Sequence, residues 1–280
     1  CCYFYLVSIL NSQTLPSMKL KLFQVDAFTD SVFGGNPAAV CPLVSWLPDY
    51  LMQAIAAENN LAETVFFVKE DDSYHIRWFT PLTEVKLCGH ATLASAHVLF
   101  EILNEDDSTI HFTSLSGSLY VKKESGGLLT MDFPIAKMTP CATPQALWES
   151  LGAHPIECYK GDDYMAVLDS EETLLGLQPD LRQMATLPVR GIIVTARGAS
   201  CDFVSRFFAP QSGIDEDPAT GSAHCATAPY WAKILKKSTL HAIQRSKRGG
   251  HLSCQVTEDR VHITGKAVLY MIGTIVIDEQ

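Results

Sequence analysis

The sequence predicts an α+β fold of two similar domains, each a mostly antiparallel sheet around one long central helix, and three observations carry that reading. A five-residue strand motif occurs twice, as Arg77-Trp-Phe-Thr-Pro81 and as Arg206-Phe-Phe-Ala-Pro210, 129 residues further on. Seven residues after each copy comes a small-residue stretch that reads as a helix start, Cys88-Gly-His-Ala-Thr-Leu-Ala-Ser95 and Asp217-Pro-Ala-Thr-Gly-Ser-Ala-His224. The remaining chain is mostly short alternating segments separated by Gly, Pro and Asn turns, the pattern of antiparallel strands.

The elements follow in order. Lys19 to Phe28 alternates and reads as a first strand. Gly34 and Gly35 free the backbone for a turn, and Asn36-Pro37 leads into another apolar strand. Pro48 to Glu58 carries Leu51 and Ile55 among alanines and is helical, with Asn59-Asn60 closing it. Leu61 to Val68 and Tyr74 to Phe79 are strands. The helix from Cys88 to about Leu103 presents Leu93, Ala96, His97 and Phe100, a face suited to lying inside a sheet. Strands follow at 109–112, 115–122 and 128–133, with Ser125-Gly-Gly as a hairpin turn. Pro134 to Pro144 reads as the crossover between halves. Gln145 to Leu151 is a short helix, 164–168 a strand, and 171–185 helical in parts. Strands at 189–196 and 202–208 lead to the second helix start, whose helix runs to about Lys236, and four strands between 240 and 277 close the chain. The domains expected are 18–130 and 131–280, the last strand being a candidate to return to the first half. Residues 1–17 read as an extension outside the core, because an apolar run without a basic start or a persuasive cleavage site is a poor signal peptide.

Composition narrows the function classes. At 280 residues there is room for one large or two medium cores, and 47% hydrophobic with 19% charged residues is ordinary for a soluble globular chain. No stretch reaches the roughly 18 to 20 apolar residues of a membrane span, so no membrane partner is expected. A net charge of −10 argues against a nucleic-acid partner, which needs a basic face. The clusters Lys233 to Lys237 and Arg245 to Arg248 read as a solvated helix face and a loop, with Lys247 and Arg248 able to meet an acidic substrate. Nine cysteines without a Cys-x-x-Cys pair suit reduced thiols, with a cytoplasmic location as the default.

The stretch Ile214 to His224 is the candidate site. Asp217 suits an N-cap and Pro218 the first helical position, while Gly221 and Ser222 let an anion approach the backbone N–H groups at the positive helix end. Two facing helix starts would hold a carboxylate well. Glu63 stands beside an apolar run. It is either exposed at the mouth of its strand, the commoner case, or partly buried, where desolvation would raise its pKa into the range of a usable acid or base. Asn36 is a candidate to orient the site; a plain turn residue is the alternative.

Six segments together carry a resemblance. Gly35-Asn-Pro-Ala-Ala-Val, Asn60-Leu-Ala-Glu-Thr-Val-Phe, Arg77-Trp-Phe-Thr-Pro, Leu87-Cys-Gly-His-Ala-Thr-Leu-Ala, Glu216-Asp-Pro-Ala-Thr-Gly-Ser and the segment Gln244 to Gly250 closely resemble the phenazine-biosynthesis PhzF-like family, in order and from Met18 onward. The resemblance implies the diaminopimelate epimerase fold, with two halves whose sheets curl around a central helix and an active site in the cleft between them. It implies isomerase chemistry without cofactor or metal, on a small carboxylate-bearing substrate, and frequent homodimers. It places a proton-moving Glu on Glu63, assisting groups on His90 and Asp217, and substrate-binding groups on Gly89, Gly221 and Ser222. Fold relatives that racemise amino acids use two opposed cysteines. Here Cys88 stands at the first helix start and no thiol stands at the second, which disfavours a two-thiol racemase.

Two other readings compete. Cys88, His90, His224 and Cys225 could be metal ligands, but their spacings match no standard zinc pattern. A binding protein that kept the cleft and lost turnover is the alternative from outside enzymology, against which the intact Glu63, His90 and Asp217 speak.

Overall fold

The computed structural model describes residues 17–278, so the predicted extension lies outside the described residues except for Ser17, which already belongs to the first strand. The first part of the chain runs β1 (Ser17–Ala27), β2 (Asn36–Leu43), α1 (Asp49–Asn59), β3 (Glu63–Glu70), β4 (Ser73–Phe79), β5 (Glu84–Val85), α2 (Gly89–Glu101), β6 (Thr109–Ser114), β7 (Gly117–Lys123) and β8 (Leu129–Pro134). The second runs β9 (Thr139–Pro140), α3 (Gln145–Leu151), β10 (Glu157–Lys160), β11 (Tyr164–Val167), α4 (Glu171–Gly176), α5 (Leu181–Met184), β12 (Ile192–Arg197), β13 (Phe203–Ala209), β14 (Ile214–Asp217), α6 (Gly221–Leu235), β15 (Thr239–Gln244), β16 (Gly250–Val256), β17 (Arg260–Gly265) and β18 (Ala267–Asp278).

Strand pairing repeats the same sequence of contacts twice. β1 to β2 is antiparallel, β2 to β3 parallel, β3 to β4 antiparallel, β4 to β6 parallel, and β6, β7 and β8 follow antiparallel. The series β10, β11, β12, β13, β15, β16 and β17 reproduces that order of senses step for step. β5 hangs on β4 as β14 hangs on β13. β8 pairs with β17 and joins the two series, while β18 pairs with β1 across its full length.

Burial explains how the sheet is covered. β3 has its first six residues buried, because it is sandwiched on both faces. Val65 and Phe67 pack with the α2 side chains Leu93 and Leu99, whereas Phe66 packs with Met52 and Ile55 of α1 on the other face. In the second series α3, α4 and α5 cover the outer face of β11 to β13 through Leu147, Leu174 and Met184. α2 and α6 share one apolar cluster that runs from Phe112 and Met131 to Trp231 and Ile263.

Both central helices are rich in Gly, Ala, Ser and Thr, which lets sheet strands pack closely on every side. The Thr92 and Ser95 hydroxyls donate to the carbonyls of Cys88 and Ala91, one turn back. Two polar side chains are thereby satisfied inside the core. Trp231 is buried as packing, with Nε1 donating to Thr195 Oγ1 at 2.8 Å. Gly35 is required by its turn: at φ +57 a Cβ would lie 2.0 Å from the Ala27 carbonyl oxygen.

One local expectation is overturned. Asp217 is not the N-cap of α6, and Pro218 is not its first residue. Asp217 ends β14, pairing with Phe207, and the cap is Thr220. α6 begins eleven residues after Pro210, whereas α2 begins eight after Pro81. The turn Pro210–Ser212 with Gly213 supplies the difference, so Thr220, not Asp217, stands where Cys88 stands in the first copy. The short strands β5, β9, β10 and β14 were not expected from the alternation pattern.

Candidate active site

Gly89 and Gly221 open α2 and α6, and the two helix starts face each other so closely that a Cβ on either glycine would lie 3.7 Å from the other's Cα. Neither cap residue, Cys88 or Thr220, bonds a free N–H of its helix with its side chain. The positive ends of two helices are thus brought to one place.

Around that place the structure gathers Glu63, His90, Asp217 and Asn36, all buried. Glu63 opens β3, and its register beside Ala38 of β2 turns the side chain toward the start of α2. Its burial corrects the expectation of an exposed carboxylate. Burial pushes the Glu63 carboxyl up to about 8, and the negative charge of Asp217 adds to the effect, against a hydrogen bond from the Cys88 thiol. His90 Nε2 lies 3.2 Å from Glu63 Oε2, but the approach is off line and neither atom has a hydrogen-bond partner. A buried acceptor and a buried ring nitrogen are therefore left unsatisfied side by side, which native interiors rarely tolerate without a functional reason.

Asn36 fixes the histidine tautomer. Its Nδ2 donates to Asp217 Oδ1 at 2.7 Å and to the Ala219 carbonyl at 3.0 Å, and both of those oxygens only accept. The amide can therefore face only one way, with Nδ2 also 3.1 Å from His90 Nδ1 and Oδ1 left without a partner. Cys88 Sγ approaches the same Nδ1 at 3.4 Å. An amide nitrogen cannot accept, so a proton on Nδ1 would face the Asn36 hydrogens, and the ring instead carries its proton on Nε2, facing Glu63. Burial lowers the His90 pKa to about 3, so the ring is neutral throughout the physiological range.

Asp217 is held from three directions. Asn36 bonds one carboxylate oxygen, the Thr220 hydroxyl the other, and Gln244 Nε2 donates to its carbonyl at 2.7 Å. Gln244 Oε1 also accepts from the Thr220 N–H at 2.7 Å, so this fully buried amide braces the turn between β14 and α6. Burial raises Asp217 to about 6, opposed by the bonds from Thr220 and Asn36 and by the charge of Arg190. Ser222, half-buried in the first turn of α6, accepts from Arg190 Nη2 at 3.1 Å. Gln244 and Arg190 were not among the expected site residues, and Thr220 entered only as part of the stretch Ile214 to His224. Gln244 opens the last of the segments that carry the resemblance, and Arg190 follows Leu-Pro-Val with no pattern around it.

Two sequence expectations separate from the site. Arg248 is committed to Asp26 Oδ1 and to the Gly34 and Gly35 carbonyls, each at 2.8 Å, so it clamps a turn and does not wait for an acidic substrate. His224 Nδ1 lies 2.8 Å from the Thr220 carbonyl and Cys225 is buried within α6, so neither joins Cys88 and His90 as a ligand set. Among the described residues, Glu63, Cys88 and His90 do bring three potential ligand atoms within 4.8 Å of one another. Cys88 Sγ lies nearest Nδ1 and Glu63 Oε2 nearest Nε2 of the same ring. Burial and the Glu63 charge also push the thiol well above its ordinary range, away from the thiolate a metal prefers.

Residues 25–273 match the family described as phenazine biosynthesis-like protein. The chain belongs to that family. An uncharacterized isomerase of Pseudomonas aeruginosa is 54% identical over 258 residues, covering 92% of this chain and 99% of that protein. The crystal structure of a PhzF-family protein from Enterococcus faecalis superposes with a TM-score of 0.89 at 48% identity, over 92% of this chain and 99% of that one. A hydroxyproline epimerase from Agrobacterium vitis shares the fold at a TM-score of 0.62 and 12% identity, over 93% of each chain. The family's α+β, epimerase-like fold is therefore also the fold of this protein. No helix among the described residues is long and apolar enough to cross a membrane.

Proposed function

We propose that this PhzF-family protein is a cofactor-independent isomerase that moves a proton between carbons of a small carboxylate-bearing substrate, a cyclic amino acid being one candidate. Residues 18–130 and 131–280 act as its two halves, and the proton moves in the cleft between them. The observation that carries this reading is the pair of unsatisfied buried atoms, Glu63 Oε2 and His90 Nε2, set side by side at facing helix starts. Glu63 in its carboxylate form takes a proton from one carbon and, as the acid, returns it to another on the same face of the substrate. A folded-state pKa near 8 keeps both forms accessible close to neutral pH. Neutral His90, with its proton on Nε2, donates a hydrogen bond to the carboxylate or to the substrate. Asp217 and Asn36 hold the histidine in place, and the N–H groups beside Gly89 and Gly221 receive the substrate carboxylate. The isomerase name of the P. aeruginosa relative supports the reaction class.

The test is deuterium uptake from heavy water into small cyclic amino and hydroxy acids, followed by NMR for wild type and Glu63→Gln. Uptake in the wild type that falls by about 10²- to 10⁴-fold in the variant is the expected result. Uptake that survives in the variant rejects Glu63 as the shuttle. Compounds that raise the melting temperature yet never exchange would instead indicate a binding protein.

A further inference from the structure

The repeated strand register assigns Glu63 a counterpart. Thr64 pairs with Phe79 and Ile192 pairs with Phe208, and Phe79 and Phe208 are the same position of the duplicated motif. Glu63 therefore corresponds to Gly191, and its neighbourhood to that of Arg190. The helix starts correspond likewise: Gly89 to Gly221, and His90 to Ser222. One copy sets a carboxylate against an imidazole. The other sets a guanidinium against a hydroxyl, Arg190 Nη2 donating to Ser222 Oγ at 3.1 Å.

We propose that Arg190, with Ser222 and the start of α6, is the site's reader of substrate charge, binding the carboxylate while the Glu63 side handles the proton. This deepens the proton-transfer reading and rests on it for the identity of the occupant as a substrate. Arg190 is oriented for the task. Its Nε donates to Asp163 Oδ1 at 2.9 Å and its Nη2 to Asp163 Oδ2, and the buried Asp163 fixes one edge of the fork. Phe207 lies under the guanidinium at 5.4 Å. Nη1 makes no hydrogen bond among the described residues, so two N–H donors remain for a second acceptor. Because Ser222 Oγ already accepts from Arg190, its own O–H is left to donate.

The unsatisfied Glu63 Oε2 and His90 Nε2 independently mark a missing occupant. Ser222 follows Gly221, which faces Gly89 at the start of α2, so Arg190 and the Glu63–His90 pair flank one pair of helix starts. The duplicated site is thus polarised. Gly191, the counterpart of Glu63, offers no acid or base, so a proton removed by Glu63 returns to the same face, and the carboxylate anchored by Arg190 keeps the substrate from turning over.

Benzoate and benzamide are the matched probes, alike in shape and differing in charge, with binding followed by calorimetry and ligand-observed NMR. The wild type is expected to prefer benzoate. Arg190→Met weakens benzoate by roughly tenfold to a hundredfold, leaves benzamide unchanged, and Arg190→Lys recovers part of the loss. Since Arg190→Met strands the buried Asp163, the double variant Arg190→Met, Asp163→Asn is measured beside it and must lose the same preference. A preference for benzoate that persists in both Met variants overturns the proposal, as does a wild type with no saturable benzoate binding. Glu63→Gln separates the two readings: deuterium uptake surviving there rejects the proton shuttle, while benzoate preference in that variant depends only on Arg190.

Discussion

Asn36 shows how much of the site rests on single atoms. Its two amide hydrogens go to Asp217 and Ala219, and its nitrogen lies against Nδ1 of His90. Asn36→Ala leaves the buried Asp217 and Ala219 acceptors short of a donor and is expected to destabilise by about 1–3 kcal/mol, read as a lower midpoint in urea. Asn36→Asp separates electrostatics from packing, because it puts a second carboxylate against one already raised to about 6. That variant is expected to be worse than Asn36→Ala at pH 8. At pH 5, where the pair can share a proton, it recovers. Equal effects at both pH values would show that the amide only fills space. Glu63 makes a kinetic prediction at the same scale. If its carboxylate form removes the proton, deuterium uptake climbs about tenfold per pH unit below about 8 and levels above it.

Elements tell a different part of the story. Ala fits at Gly89 and Gly221, where its Cβ meets neighbours at no less than 3.7 Å. Helix propensity favours Ala over Gly by up to about 1 kcal/mol, so Gly221→Ala is expected to fold with unchanged or higher stability. The added methyl stands where an anion approaches the N–H groups of both helices, so carboxylate binding should weaken by tenfold or more while the melting temperature holds. Loss of both together would mean that the glycine is structural. This pair also marks the limit of what the chain could reveal before folding. The duplicated Arg-aromatic-Phe-x-Pro motif and the small-residue stretches announced the repeat and both helices, since periodicity and composition are local properties. Asp217-Pro218 also has a local meaning, as cap and first helical residue, but pairing of β14 with β13 overrode it and moved the cap to Thr220. Gln244, Arg190 and the burial of Glu63 were illegible for the same reason. Each depends on which strand lies beside which, and no spacing encodes that.

At the scale of the molecule, the buried groups at the two helix starts shape the pH profile of stability. Glu63 has a folded pKa near 8 against an ordinary value of 4.5, so the folded state holds a proton that the unfolded state has released. Its contribution is fully present below about 4.5 and is lost as pH rises through about 8. Asp217 acts in the same direction, over the lower window from 3.8 to about 6. His90 and His224, lowered to about 3 and about 4, act oppositely: their contribution is present above 6.5 and is lost as pH falls. Between about pH 7 and 8 the unfolded histidines are mostly neutral and Asp217 is ionised, which leaves Glu63 as the buried site group that responds most. Wild-type unfolding free energy is therefore expected to decline across that interval. The difference between wild type and Glu63→Gln isolates this residue from every surface group, and should be small near pH 4.5 and grow in favour of the variant up to pH 8. Chemical denaturation of both proteins at pH 5, 6.5 and 8 measures it. Parallel profiles would mean that Glu63 is ionised at neutral pH in the folded state, and the access to both acid and base forms on which the proton shuttle relies would be lost.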